Sequence, residues 1–232
     1  MIDVFIIILV SICQSIFGVG VLLFGTPIFL ILGYSFTETL VTLLPISFFI
    51  NILQIYPRLG LINKQMVLKV CLIALPIIFV LLIIVSKFKA DISIPMGFIL
   101  ILFSLKSFLP NLNRFFDYAA SLKYIPYIAL GIVHGISNLG GSILAILVQE
   151  NCYDKLVKRT TIAAIYALLA TTQIIALSSV GIELDIRYSL IALGLITYFI
   201  TDRLIFKKVE NNQYESAFSV FLFAFGFVLV IT

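Results

Sequence analysis

The sequence predicts an all-α, polytopic membrane protein of about eight transmembrane segments, arranged as two homologous four-segment repeats. Three observations carry this. Of 232 residues, 62% are hydrophobic and only 11% charged, against about 25% charged in soluble domains. The apolar residues fall in long runs bounded by short polar turns, and a helix needs about 20 of them to span hydrocarbon. Finally, a glycine-interrupted stretch, Gln14-Ser15-Ile16-Phe17-Gly18-Val19-Gly20-Val21-Leu22-Leu23-Phe24-Gly25-Thr26-Pro27, recurs 120 residues later as His134-Gly135-Ile136-Ser137-Asn138-Leu139-Gly140-Gly141-Ser142-Ile143-Leu144. At that offset Ile12 falls on Ile132, Gln14 on His134, Ile16 on Ile136 and Gly20 on Gly140. Glycine-interrupted segments at corresponding points of two halves are a sequence mark of a transporter's binding site.

The first segment runs from about Val4 to Leu32, too long for one upright span and broken at Gly18–Gly20 and Thr26-Pro27. Gly33-Tyr34-Ser35 makes a turn, and the second segment covers roughly Phe36 to Tyr56, closed by Pro57-Arg58-Leu59-Gly60. The third is about Gln65 to Val85, with Pro76 predicted to kink it. After the polar loop Lys87-Phe88-Lys89-Ala90-Asp91 comes the fourth, Ile94 to Leu109. The less apolar stretch from Pro110 to Lys123 reads as the junction, dividing the chain into an N-terminal repeat, 1–118, and a C-terminal repeat, 119–232.

The fifth segment, Ile125 to Val148, carries the second glycine-rich break, and Glu150 to Arg159 is a charged connection. The sixth runs from Leu156 to Ser179, the seventh from Tyr188 to Phe206, and the eighth, after the polar turn Lys207 to Glu215, from Ser216 to Thr232. Lys106, Asp202 and Arg203 lie near segment ends, where long side chains snorkel to the interface. Continuous segments one and five would make the halves parallel; re-entrant pairs would change the count. Alternating eight spans places seven basic residues on one side and eight on the other, which leaves orientation open under the positive-inside rule.

With one gap, at offset 119, Thr42 falls on Thr161 and Gln54 on Gln173. The second and sixth segments are therefore polar on one face, through Thr37, Thr39, Thr42, Ser47, Asn51 and Gln54 and through Thr160, Thr161, Thr171, Thr172 and Gln173. Such faces belong against other helices or a watery cavity, not against lipid.

At these residues the chain resembles the sulfite exporter TauE/SafE permease family. The family pattern G-x-G-G-G-x-x-x-x-P corresponds here to Gly18-Val19-Gly20-Val21-Leu22 with Pro27, then Gly33 and Thr42; Val21 and Leu22 replace two family glycines. Asn138-Leu139-Gly140-Gly141-Ser142 matches the second-half motif better. The resemblance spans essentially the whole chain. It implies two homologous halves, each opening on a broken segment, and transport of sulfite, sulfonates or related anions; it does not name the anion.

An anion site needs no charged residue. A helix restarting at Gly20 or Gly140 points unpaired N–H groups and a positive dipole end at the break. Gly18 and Gly141 allow the bend and close approach, while Gln14, Ser15, Thr26, Ser137, Asn138 and Ser142 supply neutral donors. The alternative is that these glycines are helix-packing residues of the small-xxx-small kind. Thr42, Gln54, Thr161 and Gln173 read as lining the same cavity, or as packing glue. His134, the single histidine, is a candidate for proton coupling or substrate contact, or a histidine hydrogen-bonded across helices. Glu38 complements the dipole of the second segment, and Lys155, Lys158 and Arg159 read as interfacial anchors.

Cys13, Cys71 and Cys152 lack metal or redox spacing, so no metal site or cofactor is predicted. Net charge is +4, but the basic residues are scattered, which argues against nucleic-acid binding. Met1-Ile2-Asp3 lacks the basic start of a cleavable signal, so the first segment is expected to stay in the mature protein. One histidine and the lack of GxSxG, HExxH and GxxxxGK[ST] motifs argue against an enzyme. The sequence thus reads as a multi-pass permease of the cell (inner) membrane. Its partners are lipid, a small sulfur-containing anion and a possible coupling proton or ion, with the site at mid-membrane between the broken helices. A cation or metal-ion carrier and a non-transporting membrane scaffold are the alternatives.

Overall fold

The computed structural model describes residues 2–18, 20–88, 93–105, 109–152, 154–184 and 186–204, together with 223, 227 and 231. The described residues are helical with short connections. In order they form α1 Ile2–Phe17, α2 Val21–Ile31, α3 Phe36–Ile55, α4 Lys64–Lys69, α5 Leu75–Phe88, α6 Ser93–Leu105, α7 Pro110–Ser121, α8 Ile125–Ser137, α9 Gly141–Asn151, α10 Lys155–Ser179 and α11 Tyr188–Leu204. The predicted eighth segment, apart from three positions, and Lys106 lie outside the described residues.

Among the described residues three helices are long and apolar enough to cross a membrane: Phe36–Leu61, Lys64–Phe88 and Leu156–Ser179. Their surroundings differ in the sense that lipid as solvent requires. Lys64–Phe88 has a mean hydropathy of 3.1 and is only 22% buried, whereas the other two, at 1.7, are 72% and 67% buried. The polar faces read from the sequence are turned inward, as the absence of water in hydrocarbon demands. Pro76 does not break its helix. The turn before it, Val70–Ala74, widens to a π-helix, and the Leu75 amide reaches the Val70 carbonyl. The wider turn makes room for a ring that would otherwise collide with the carbonyl one turn earlier.

The first segment reverses direction instead of continuing across. Were residues 3 to 34 one straight helix, their ends would stand about 46 Å apart. Instead the Tyr34 hydroxyl donates to the Asp3 carboxylate at 2.8 Å, and this bond raises the Tyr34 pKa. Arg187, in the α10–α11 connection, pairs with the same carboxylate at 2.7 Å. So α1 and α2 form a helical hairpin whose two outer ends lie together, at what we term the Asp3 end.

The fifth segment does the same from the opposite end. Asn63, just before α4, donates from Nδ2 to the sulfur of Cys152, just after α9. Lys69 lies over the ring of Tyr127, in the first turn of α8. Both ends of the α8–α9 hairpin therefore sit at the Asn63 end, about 30 Å along α3 from Ser35. Parallel halves, expected from continuous segments, are thus replaced by hairpins of opposite entry direction. The Pro110–Lys123 junction also contains a helix, α7, which leaves Phe115 and Tyr118 exposed.

Packing between the two parts of the chain is reciprocal. α3 lies on α10; α1 lies on α11 while α8 lies on α5; α11 also touches α3 while α5 touches α10. Glycines permit these close approaches: Gly131 and Gly135 of α8 rest on Ile77 and Ile78 of α5, and Gly194 of α11 rests on Ile46 of α3.

Candidate functional site

Each hairpin turns through one residue in the left-handed region, Gly18 at φ 72° and Asn138 at φ 60°. Both are helix C-terminal positions, where a left-handed residue caps the last carbonyls. The Gly18 amide donates to the Gln14 carbonyl, and the Asn138 amide to the His134 carbonyl, both at 2.9 Å. Two residues on, the chain passes so near the helix it has left that only glycine fits. A Cβ on Gly20 would stand 2.2 Å from the Gln14 nitrogen, and one on Gly140 2.6 Å from the His134 Cβ.

At the first tip, the fully packed Gln14 side chain bridges the gap between helices. Its amide nitrogen donates to the Gly18 carbonyl at 3.0 Å and to Asn51 Oδ1 at 3.1 Å, while its oxygen accepts from the Val21 amide at 3.2 Å. Asn51 in turn donates to the Ser47 carbonyl and hydroxyl. Gln54 donates to the Arg159 carbonyl at 3.2 Å, and its own oxygen is buried without a partner among the described residues.

At the second tip a chain of neutral groups runs between three helices. Asn138 Nδ2 donates to the Thr26 hydroxyl at 2.9 Å, Gln173 donates to Asn138 Oδ1 at 3.2 Å, and His134 Nε2 meets the Gln173 oxygen at 3.3 Å. Because an amide oxygen only accepts, Nε2 carries the imidazole proton. The other ring nitrogen, Nδ1, is buried without a partner among the described residues.

Between the tips, the first turns of α2 and α9 pass each other antiparallel. Leu23 lies opposite Gly141, and Thr26 opposite Asn138. Gly141 leaves room for the Tyr166 hydroxyl, which would stand 2.0 Å from a Cβ there. Ser142 is buried and its hydroxyl donates to the Leu139 carbonyl at 3.2 Å.

The predicted site residues therefore fall into two clusters, not one. Gln14, Gly18, Gly20 and Gln54 gather at the first tip; His134, Asn138, Gly140, Gly141, Ser142 and Gln173 gather at the second. Arg159 and Gln173, which mark the two levels, are fourteen residues apart on α10, or about 21 Å. Thr161 belongs to neither, since its hydroxyl accepts from the Asn63 amide at 3.0 Å and fastens the start of α4. Thr42 is buried in α3, about 18 Å along the axis from Gln54. Glu38 completes a capping box with Ser35 at the start of α3, as its position suggested.

Three residues escaped the sequence reading. In sequence Asn51 belongs to the polar face of the second segment but not to the tip, Tyr166 has the spacing of an ordinary core aromatic, and Arg159 reads as an interfacial anchor. Arg159 is instead 5% exposed. It donates to the Ser15 carbonyl and the Tyr198 hydroxyl, both at 3.1 Å, and pairs with Asp202. Its place in a cluster of charges in a connecting segment hides that α10 is largely buried from Arg159 to Ala170. Asp202, expected to snorkel, is likewise turned to this pair. Among the described residues no three His, Cys, Asp or Glu side chains come together as metal ligands. A separate cavity of about 510 Å³ lies at the Asp3 end, beside Ser35, Glu38, Ser86 and Lys87.

A family model described as Sulfite exporter TauE/SafE matches residues 4–229, nearly the whole chain. Neither curated proteins nor solved structures gave a match.

Proposed function

Because the chain belongs to the sulfite exporter TauE/SafE family, a family of membrane transporters, we propose that it is a secondary permease for a small sulfur-containing anion, such as sulfite or an organic sulfonate. The observation that carries this reading is the pair of oppositely directed hairpins, whose restarting helices overlap at mid-depth beside Tyr166. Two helix N-termini there offer amide donors and positive dipole ends without a fixed positive charge, a combination that holds an oxyanion and still releases it. The anion would pass between the Gln14–Asn51 cluster and the His134–Gln173–Asn138 cluster, with Gly141 and Ser142 between them. His134 Nδ1, an acceptor with no donor among the described residues, would take a proton carried with the anion and couple the two fluxes.

The halves 1–118 and 119–232 are proposed as inverted repeats. The supports are the offset of about 120 residues, the matching left-handed caps and the reciprocal packing of α1 on α11 and α8 on α5. Such repeats, related by an axis in the membrane plane, are the usual basis of alternating access.

The re-entrant hairpins also re-sort the basic residues. Among the described residues the Asn63 end carries Arg58, Lys64, Lys123, Lys158 and Arg203, against Lys87 and Arg187 at the Asp3 end. On that asymmetry the Asn63 end faces the cytoplasm of an inner-membrane protein. Impermeant thiol labelling of single cysteines at Lys64 and Lys87 in intact cells checks this: label at position 64 but not 87 would reverse it.

The functional test is flux of radiolabelled sulfite, sulfate, thiosulfate, sulfonates and a cation panel into proteoliposomes, with and without a pH gradient. Uptake confined to sulfur anions is expected. Uptake of cations alone would move the reading to a cation carrier, and no flux of any solute would favour a scaffold.

A further inference from the structure

We propose that Arg159 is the anion-selectivity residue of this path and that Asp202 is its built-in surrogate anion, displaced when substrate reaches the first hairpin tip from the Asn63 end. The proposal rests on the anion-transport reading above.

Arg159 is the one Lys or Arg that is buried among the described residues. A charge in such a place is expensive, and a buried ion pair is weak evidence of added stability, because desolvation offsets most of the attraction. Intramembrane charges are retained chiefly for function. The internal symmetry provides a control. At offset 119, Arg159 corresponds to Leu40 and Asp202 to Ile83, and Leu40 is fully buried. The other half therefore carries apolar residues at both corresponding positions, so the ion pair is particular to this tip.

The location is specific. The Arg159 stem passes 3.3 Å from where a Gly18 Cβ would stand. Gly18 corresponds, at offset 120, to Asn138, whose side chain fills that place at the other tip. A glycine at the left-handed cap thus opens the volume that an arginine uses. The guanidinium touches the last turn of α1 at Ser15, α11 at Tyr198 and Asp202, and rises from α10. It joins the elements that would part if the hairpin moved. Its planar fork suits a tetrahedral or pyramidal oxyanion as well as a carboxylate. Asp202 is the more exposed partner, 23% against 5%, and is placed to yield toward the Asn63 end.

The test is radiolabelled sulfite and thiosulfate flux in proteoliposomes of the full chain, comparing wild type with Arg159→Gln, Asp202→Asn, the double variant and Arg159→Lys. Removing a hydrogen-bonded charge is expected to lower flux at least about tenfold in Arg159→Gln. Asp202→Asn should lower the apparent KM about threefold or more, since the competing carboxylate is gone. The double variant should regain thermal stability relative to Arg159→Gln without regaining flux, and Arg159→Lys should transport with a raised KM. Wild-type flux in Arg159→Gln or in the double variant would make the pair purely structural and overturn the proposal. If Arg159→Gln fails to fold, Asp202→Asn decides alone, and an unchanged or raised KM overturns it. Wild type that moves no sulfur anion would remove the transport reading and this proposal together, whereas wild-type flux with indifferent variants removes the proposal only.

Discussion

The two hairpin tips use one backbone design with different chemistry. Each ends a helix on a left-handed residue, each follows two positions later with a glycine pressed against the departing helix, and each places a glutamine of the long neighbouring helix beside the turn. At the second tip the cap is Asn138, and its side chain joins Thr26, Gln173 and His134 in a neutral network. At the first tip the cap is Gly18, which has no side chain to offer Gln54, and the stem of Arg159 occupies the space. The exchange at the cap, asparagine for glycine, goes together with Arg159 in place of Leu40 and Asp202 in place of Ile83, and the three separate a neutral tip from a charged one. The shared geometry is what the fold requires, and the differing side chains are where selectivity and direction can be written.

The sharpest way to break the shared geometry is Gly20→Ala. Its Cβ would press on backbone, which cannot swing aside, so the loss of stability should exceed the about 1–3 kcal/mol of ordinary overpacking. Thermal unfolding in detergent should show a larger fall than for Gly140→Ala, where the clash is with a side chain. Equal effects would mean the two reversals are not equivalent. Gly140→Leu should abolish transport while the protein still inserts in the membrane.

Next in size is Asn138→Gly, which keeps the left-handed backbone but deprives Thr26 and Gln173 of a partner. Each group left unsatisfied costs about 1–3 kcal/mol, and a thermal midpoint unchanged from wild type would deny the network its structural weight. His134→Gln should leave folding close to wild type and flatten the pH dependence of flux; a profile that retains its shape would remove His134 from proton coupling. The smallest effect is expected from Thr161→Val. It strips one acceptor from the Asn63 amide, a loss of about 1 kcal/mol, with transport retained. Abolished transport there would return Thr161 to the site.

Much of this was legible in the chain. The run lengths located the helices, the turn at Gly33-Tyr34-Ser35 and the cap at Ser35 and Glu38 were readable from local chemistry, and the offset of Gln14 to His134 marked both tips. The polar faces of α3 and α10 announced their burial. What misled was the direction of the chain after Gly18 and Asn138. A break in an apolar segment reads the same whether the helix resumes forward or returns, because both need glycine and both leave amides unpaired. Orientation was lost with it, since the side to which each lysine belongs depends on counting crossings.

The amino-acid sequence by itself determined that this is a helical membrane protein whose apolar segments are broken twice at glycines, because hydrophobic run length and residue pattern are local properties that lipid enforces directly. Only the tertiary structure decided that the breaks are hairpins entering from opposite ends, that the polar residues divide into two clusters, and that Arg159 is buried against Asp202. Those are outcomes of contacts between residues 31 to 184 positions apart, such as Tyr34 with Asp3, Arg159 with Asp202 and Arg187 with Asp3. Such contacts leave no periodic mark on a single sequence.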